Sequence, residues 1–233
     1  MNTKWYFYIL FASVMGWYGC KKSVETVPPN LGYSYFPLRV GSELIYQADS
    51  IGWLGYTWNN TTQSGEIDTV QFQIKEVVES FFTDNEGRET ARVVRYKRIS
   101  PSDPWTAYKV IAANLTPTMA QRVEDNIRYI KLVFPPRKNE KWNGNALDTI
   151  EPWEYVYDEV NIPGYAGPLY FDSTLIVTQI NEGNLINYKF YTEQYAAGTG
   201  LIYKEYNDYE FSCIGCSKVK DGFIYKETLI SSR

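Results

Sequence analysis

Histidine is absent from this chain of 233 residues, and its absence excludes a wide range of chemistry. Without an imidazole there is no Ser-His-Asp or Cys-His nucleophile, no imidazole general base, and no zinc, haem or copper site with histidine ligands. We therefore expect neither a metal site nor a cofactor, and we expect the protein not to be an enzyme.

The chain also lacks an apolar run long enough to cross a bilayer as a helix. Its longest run, Trp5–Tyr18, has about 14 residues, whereas a span needs roughly 20. Lys4 precedes this run and Gly19-Cys20 ends it, an arrangement that resembles a bacterial lipoprotein signal in which the cysteine is lipidated. An uncleaved anchor helix is the alternative interpretation.

This resemblance gives three predicted regions and a location. Residues 1–19 are the lipoprotein signal peptide, residues 20–32 are the lipidated Cys20 and its polar tether, and residues 33–233 are a single β domain. The membrane, contacted through the lipid, is the first expected partner. We expect a protein of the cell envelope, on the outer membrane, and Lys21-Lys22 after the lipid site favours the periplasmic face.

Net charge indicates which class of partner to exclude, and aromatic content indicates the secondary structure. There are 27 acidic and 23 basic residues, a net charge of -4 that argues against a nucleic-acid partner. Aromatic residues make up 17% of the chain, led by 21 tyrosines, and this excess favours strands over helices.

From Ser42 onward the apolar residues mostly alternate with polar ones, which predicts antiparallel strands. The clearest hairpin has an alternating strand at Val70–Lys75, a turn at Asp84–Gly87 and a second alternating strand at Ala91–Ile99. The remaining predicted strands are Leu44–Asp49, Thr106–Ala113, Met119–Val123, Ile127–Phe134, Trp153–Val160, Thr174–Ile180, Leu185–Glu193, Gly200–Tyr206 and Gly222–Ile230. Thr116-Pro117 could instead begin a helix, and we favour the strand. Pro135–Asn145 and Ile162–Pro168 are predicted loops.

Several of these strands carry apolar residues on both faces. In Ile127–Phe134, for example, Ile130 and Leu132 lie on one face, and Tyr129 and Val133 lie on the other. Such strands are covered on both sides or line an apolar concavity. The predicted fold is therefore all-β with minor α content: one curled antiparallel sheet, either a half-barrel or an open barrel.

Cys213-Ile214-Gly215-Cys216 has the spacing of redox, zinc and haem motifs. Haem attachment requires a following histidine, where Ser217 stands, and a zinc site requires two further soft ligands. A redox motif begins a helix after a strand, whereas this one lies between two predicted strands. We therefore predict a local disulfide between Cys213 and Cys216, formed in an oxidising compartment.

Two further groups of residues are candidates for function. Glu154 and Asp158 share a strand face and could act as the acid and base of a hydrolase, although an exposed acidic face explains them more simply. Loop tryptophans could form a rim that binds sugar rings or apolar ligands, or they could be buried at sheet ends. These tryptophans are Trp53, Trp58, Trp105 and Trp142.

Three segments resemble uncharacterised cell-envelope lipoproteins of Bacteroidota. They are Tyr35–Gly41, Phe134–Asn143 and Gln194–Glu205, the last with Gly198 and Gly200 at its turn. The resemblance implies a curled antiparallel sheet, similar to the half-barrel of lipoprotein carriers that hold acyl chains in their concavity. It implies no catalytic residues. Four tripeptides also resemble the O-glycosylation sequence of Bacteroidota: Asp49–Ile51, Asp68–Val70, Asp148–Ile150 and Asp172–Thr174.

The function expected from these observations is non-catalytic. Strands that are apolar on both faces, together with the lipoprotein-like start, favour an envelope lipoprotein that binds an apolar or amphiphilic ligand in its sheet. The alternative is an accessory or adhesion module that binds a glycan or an envelope protein through its loop aromatics. A cavity inside the sheet would favour the first hypothesis, and a cluster of exposed tryptophans would favour the second.

Overall fold

The computed structural model describes residues 31–54 and 66–233. The predicted signal peptide, Cys20 and Trp58 lie outside the described residues. Within the described part of the chain, no helix is long and apolar enough to cross a membrane. The only helical element there is a 3₁₀ turn, Tyr33–Tyr35.

Twelve strands follow this turn in one antiparallel sheet. They are β1 (Glu43–Leu54), β2 (Glu66–Thr83), β3 (Glu89–Arg98), β4 (Thr106–Leu115), β5 (Met119–Glu124), β6 (Ile127–Val133), β7 (Lys141–Asn143), β8 (Glu154–Ala166), β9 (Leu169–Gly183), β10 (Asn187–Ala196), β11 (Gly200–Phe211) and β12 (Val219–Ser232). Each strand pairs with its neighbour in sequence, except that β6 and β7 are the two sheet edges. β1 pairs with both β2 and β12.

The sheet curls into a nearly closed, barrel-shaped structure with an unsealed seam between its two edge strands, which confirms the predicted all-β fold. Several hydrogen bonds cross the seam: Ile130 N–H donates to the Gly144 carbonyl (2.8 Å), Trp142 Nε1 donates to the Ile130 carbonyl (2.9 Å), and Val133 N–H donates to the Tyr157 hydroxyl (2.9 Å). The Tyr157 hydroxyl also donates to the Val133 carbonyl at 2.7 Å. The barrel is therefore held together at the seam largely by side chains.

The structure differs from the sequence-based expectation at two predicted loops. Ile162–Pro168 was expected to be a loop because of its Pro and Gly residues, yet β8 continues to Ala166. The pairing of β8 with β9 shifts register on either side of Ile162, so Pro163 lies at an irregularity. Proline has no backbone N–H, and at an irregularity no hydrogen bond between the strands is lost. The second predicted loop, Pro135–Asn145, contains the short strand β7. Met119–Val123, by contrast, is a strand as predicted.

A segment that we call the strap, Leu31–Ser42, crosses the end of the barrel where even-numbered strands finish. We call this end the strap end and the opposite one the far end. Tyr35 and Phe36 are 3% and 6% exposed and pack into the main hydrophobic cluster. The Tyr35 hydroxyl is hydrogen-bonded to Ser173 Oγ (2.7 Å), and Gly198 N–H donates to the Ser34 carbonyl (2.7 Å). These contacts fix the strap across one mouth of the barrel.

Candidate functional site

The interior of the barrel contains a group of eight charged side chains, which we call the charge network. Its members are Glu76, Glu124, Glu193, Glu227, Arg95, Arg122, Lys131 and Lys204. An eight-stranded barrel has an interior that side chains just fill, so twelve strands leave a space wider than aliphatic residues can span. Long polar side chains cross this space and meet. Because acids and bases are equal in number, the network has no net charge.

Strand register explains why these residues meet, because directly opposed residues of neighbouring strands share a face. Glu76 lies opposite Arg95 on β3, and Glu227 lies opposite Lys204 on β11. Lys204 in turn lies opposite Glu193 on β10. Acidic and basic side chains therefore alternate across adjacent strands on the inner face of the sheet.

The most buried member of the network is Glu227, whose side chain is fully buried. Its carboxylate lies 2.7 Å from Arg95 Nη2 and 3.3 Å from Lys204 Nζ, and it accepts a hydrogen bond from the Tyr225 hydroxyl. Arg95 also reaches Glu76, with Nε 2.9 Å from the carboxylate. Four strands are thus joined by one chain of ion pairs.

A second centre forms around Glu193 on β10. Its carboxylate lies 2.6 Å from Lys131 Nζ, and the hydroxyls of Tyr195 and Tyr206 donate to it at 2.5 and 2.6 Å. Burial opposes ionisation of Glu193, but the positive charges of Lys131 and Lys204 outweigh it and lower the pKa. Glu193 therefore stays ionised although it is 2% exposed.

Next to the network, at the strap end, lies a cavity of about 400 Å³ that we call the end cavity. Its walls are mainly apolar and include Phe36, Leu38, Leu44, Val78, Val93, Ala113, Tyr195 and Leu201. Val40, Gly41, Gly198 and Arg233 are exposed and lie at its mouth. Its volume and apolar lining are those of a small-molecule pocket.

The polar lining of the end cavity includes the ion pair of Glu76 and Arg122 and the exposed side chains of Arg39 and Arg233. Arg122 Nη2 lies 2.5 Å from Glu76, and its Nε lies 2.6 Å from Glu124. Because two carboxylates already occupy this guanidinium, an anionic ligand would have to displace one of them. The interior of the cavity is therefore suited to the apolar body of a ligand, and the bases Arg39 and Arg233 at its mouth can attract a polar or anionic end.

The predicted tryptophans within the described residues do not form an exposed rim. Trp53 packs against Tyr209 with ring centroids 6.2 Å apart, and Trp105 lies under the guanidinium of Arg98 at 4.2 Å. Trp142 packs against the main hydrophobic cluster and bridges the seam. All three are half-buried, and they are dispersed over the barrel rather than brought together.

The remaining candidates are also placed by the structure. Cys213 and Cys216 lie at disulfide distance, with Cα atoms 5.3 Å apart. Glu154 forms an exposed ion pair with Lys141 (2.6 Å), whereas Asp158 accepts a hydrogen bond from Thr178. Among residues 31–54 and 66–233, no group of cysteine, aspartate and glutamate side chains is arranged to hold a metal ion.

Sequence reasoning expected an apolar concavity but assigned ligand binding to tryptophans, and those within the described residues do not line the end cavity. It also missed the charge network. A signal for the network was present, because Glu76 continues the alternating face of Phe72 and Ile74, and Glu227 lies between Tyr225 and Leu229 on one face. A charged residue on an apolar face predicts a buried partner of opposite sign. The partner itself could not be identified, since Arg95 is 132 residues away from Glu227.

A comparison of the chain with known protein families finds no match, and a comparison with curated proteins finds none either. What the protein binds is therefore inferred from its cavity and from the chemistry of the residues that line it.

Proposed function

We propose that this protein is a non-catalytic envelope lipoprotein that binds an apolar or amphiphilic ligand in the end cavity. The observation that carries the proposal is a mainly apolar cavity of about 400 Å³ whose polar lining includes the Glu76–Arg122 ion pair. Apolar walls favour the body of the ligand, and a few fixed polar groups orient its polar end. The network around the cavity holds those polar groups in place.

The test compares co-purified ligand in three forms of the full chain by native mass spectrometry and solvent extraction. Ala113→Phe places a ring where a methyl group lines the cavity. Val110→Phe is the matched control, because Val110 lies on the same strand and is 52% exposed. We expect an amphiphile in the wild type and in Val110→Phe, and none in Ala113→Phe.

A second variant, at the mouth of the cavity, keeps the proposal testable if Ala113→Phe fails to fold. Val40 is 60% exposed at the mouth of the cavity, so Val40→Asp should leave stability unchanged and still weaken retention of an apolar ligand. A clean ligand-free mass for the wild type, or equal occupancy in all the variants, would contradict the proposal.

The alternative, a glycan-binding module, is supported by one row of aromatic side chains. Tyr188 and Tyr209 lie directly opposite each other, and Trp53 and Tyr209 flank Gly222 in the same row. Aromatic faces of this kind stack on sugar rings. Electrophoresis of the full chain in gels containing soluble polysaccharides tests this function, and retardation lost in Tyr188→Ala would favour it over the cavity.

A further inference from the structure

The strap end of the barrel, where the end cavity lies, exposes apolar and aromatic side chains. We call this set the docking rim: Val40, Phe81, Phe82, Leu115, Tyr165 and Tyr170. Each is at least 37% exposed, and Tyr165 and Tyr170 reach 65% and 55%. Exposed apolar residues gathered at one functional end commonly mark an interaction site.

Backbone topology places the members of the rim at this end. Phe81 and Phe82 lie near the end of β2, just before the hairpin to β3, and Leu115 is the last residue of β4. Tyr165 and Tyr170 pair across the tip of the β8–β9 hairpin, with ring centroids 5.2 Å apart. All of these positions lie where even-numbered strands finish or odd-numbered strands begin.

The connection to the N-terminus indicates what covers the rim. The described chain enters the barrel at Leu31, also at the strap end, and only the ten residues Lys21–Asn30 separate it from Cys20. Ten extended residues span at most about 35 Å. This limit holds whether the anchor is a lipid on Cys20 or the apolar run Trp5–Tyr18.

A barrel whose first strand has 12 residues is itself about 40 Å long along that strand. The far end also has exposed apolar residues, since Leu185 and Ile214 are each 70% exposed. For the far end to face the membrane, however, the tether would have to be stretched over the full length of the barrel. The strap end can rest on the membrane well within this length limit.

The chemistry of the rim also fits a lipid surface. Aromatic side chains are favoured at the membrane interface, where an apolar ring and a polar hydroxyl lie at different depths. The net charge of -4 gives the chain no general attraction to anionic lipids, so contact depends on apolar insertion.

We propose that the strap end is a membrane-docking surface, on which the rim inserts into the headgroup region of the bilayer that holds the N-terminus. The end cavity then opens onto lipid, and its ligand is an amphiphile from that bilayer. The membrane anchor and the identity of the ligand rest on the proposed function, whereas the docking surface does not require a loaded cavity.

The experiment uses the full chain in vesicles of phosphatidylethanolamine and phosphatidylglycerol whose acyl chains are brominated. Cys213 and Cys216 are replaced by Ser, and a fluorescent label is attached at Phe82→Cys or Tyr170→Cys. Leu185→Cys and Ile214→Cys are the matched controls, because their side chains are even more exposed but lie at the far end. The protein without an introduced cysteine gives the background signal.

We expect bromine to quench the two rim labels about threefold or more above the far-end labels, because an apolar face that docks on a bilayer is buried about 5–10 Å into the boundary between headgroups and acyl chains. Equal quenching at both ends, or stronger quenching at Leu185→Cys, would overturn the docking surface. A docked rim with no amphiphile in native mass spectrometry would remove only the cavity ligand, so the two failures are distinguishable.

Discussion

Glu227 is the residue whose replacement should destabilise the protein most through electrostatics. Glu227→Gln removes a fully buried negative charge from between Arg95 and Lys204. Replacing a buried ion pair by apolar residues can be neutral, but removing one partner leaves an uncompensated buried charge, which costs about 3–5 kcal/mol. We expect a loss of that size in the free energy of unfolding, measured by urea denaturation.

The control for this prediction is Glu154→Gln. Glu154 and its partner Lys141 have side chains that are 65% and 59% exposed, and exposed ion pairs contribute about 0–1 kcal/mol. If the Glu227 and Glu154 variants lost similar stability, the charge network would not be the buried, tightly coupled set that the distances indicate.

The ionisation of Glu227 also predicts how stability depends on pH. Burial opposes its ionisation, but the positive charges of Arg95 and Lys204 outweigh burial and hold its pKa at about 2, below its usual 4.5. The folded state therefore binds fewer protons than the unfolded chain between these values. This contribution is fully present above pH about 4.5 and is lost as the pH falls towards about 2.

The measurement is a series of urea denaturations at decreasing pH, on the wild type and on Glu227→Gln. We expect the free energy of unfolding of the wild type to fall with acidification, and the fall to be shallower in the variant, which cannot titrate at this position. Parallel curves for the two proteins would show that Glu227 does not contribute to the acid sensitivity.

Among the elements, the seam between β6 and β7 is the weakest join in the sheet, because few hydrogen bonds cross it. Trp142→Phe keeps an aromatic ring against Tyr157 but removes the Nε1 donor to the Ile130 carbonyl. Losing one partner of a half-buried hydrogen bond costs about 1–3 kcal/mol. We expect destabilisation of this size, with faster hydrogen exchange of the Ile130 amide.

Trp105→Phe is the matched control for the seam. Trp105 is also half-buried, but it packs against the Arg98 guanidinium away from β7, so its replacement should leave the exchange of Ile130 unchanged. Unaltered exchange at Ile130 in Trp142→Phe would show that the Trp142 side chain does not contribute to holding β6 at the seam.

Element identity was largely predictable, because alternation with a period of two is a local property of each strand. It predicted β3, β5 and the Asp84–Gly87 hairpin turn. It failed for the end of β8, where a register irregularity accommodates Pro163, because irregularities depend on the neighbouring strand. The lining of the end cavity could not be predicted for a related reason. It brings together residues far apart in the sequence, such as Leu38 of the strap and Leu201.

At the scale of the whole molecule, the distribution of charge predicts how the docked protein responds to salt. The charge network is neutral, so the net charge of -4 belongs to the rest of the chain. Salt screens attraction between surface charges and lipid headgroups, with a Debye length of about 10 Å at 0.1 M. Apolar insertion of the docking rim has no such dependence.

We therefore expect the quenching of a label at Phe82→Cys by brominated lipid to be the same at low and high salt. Electrostatic attraction is the alternative to apolar insertion, because the exposed bases Arg39 and Arg233 near the cavity mouth could attract anionic headgroups. If quenching fell with salt and fell further in Arg39→Gln, electrostatic attraction would hold the strap end on the membrane. Unchanged quenching across the salt series would assign the contact to the apolar rim.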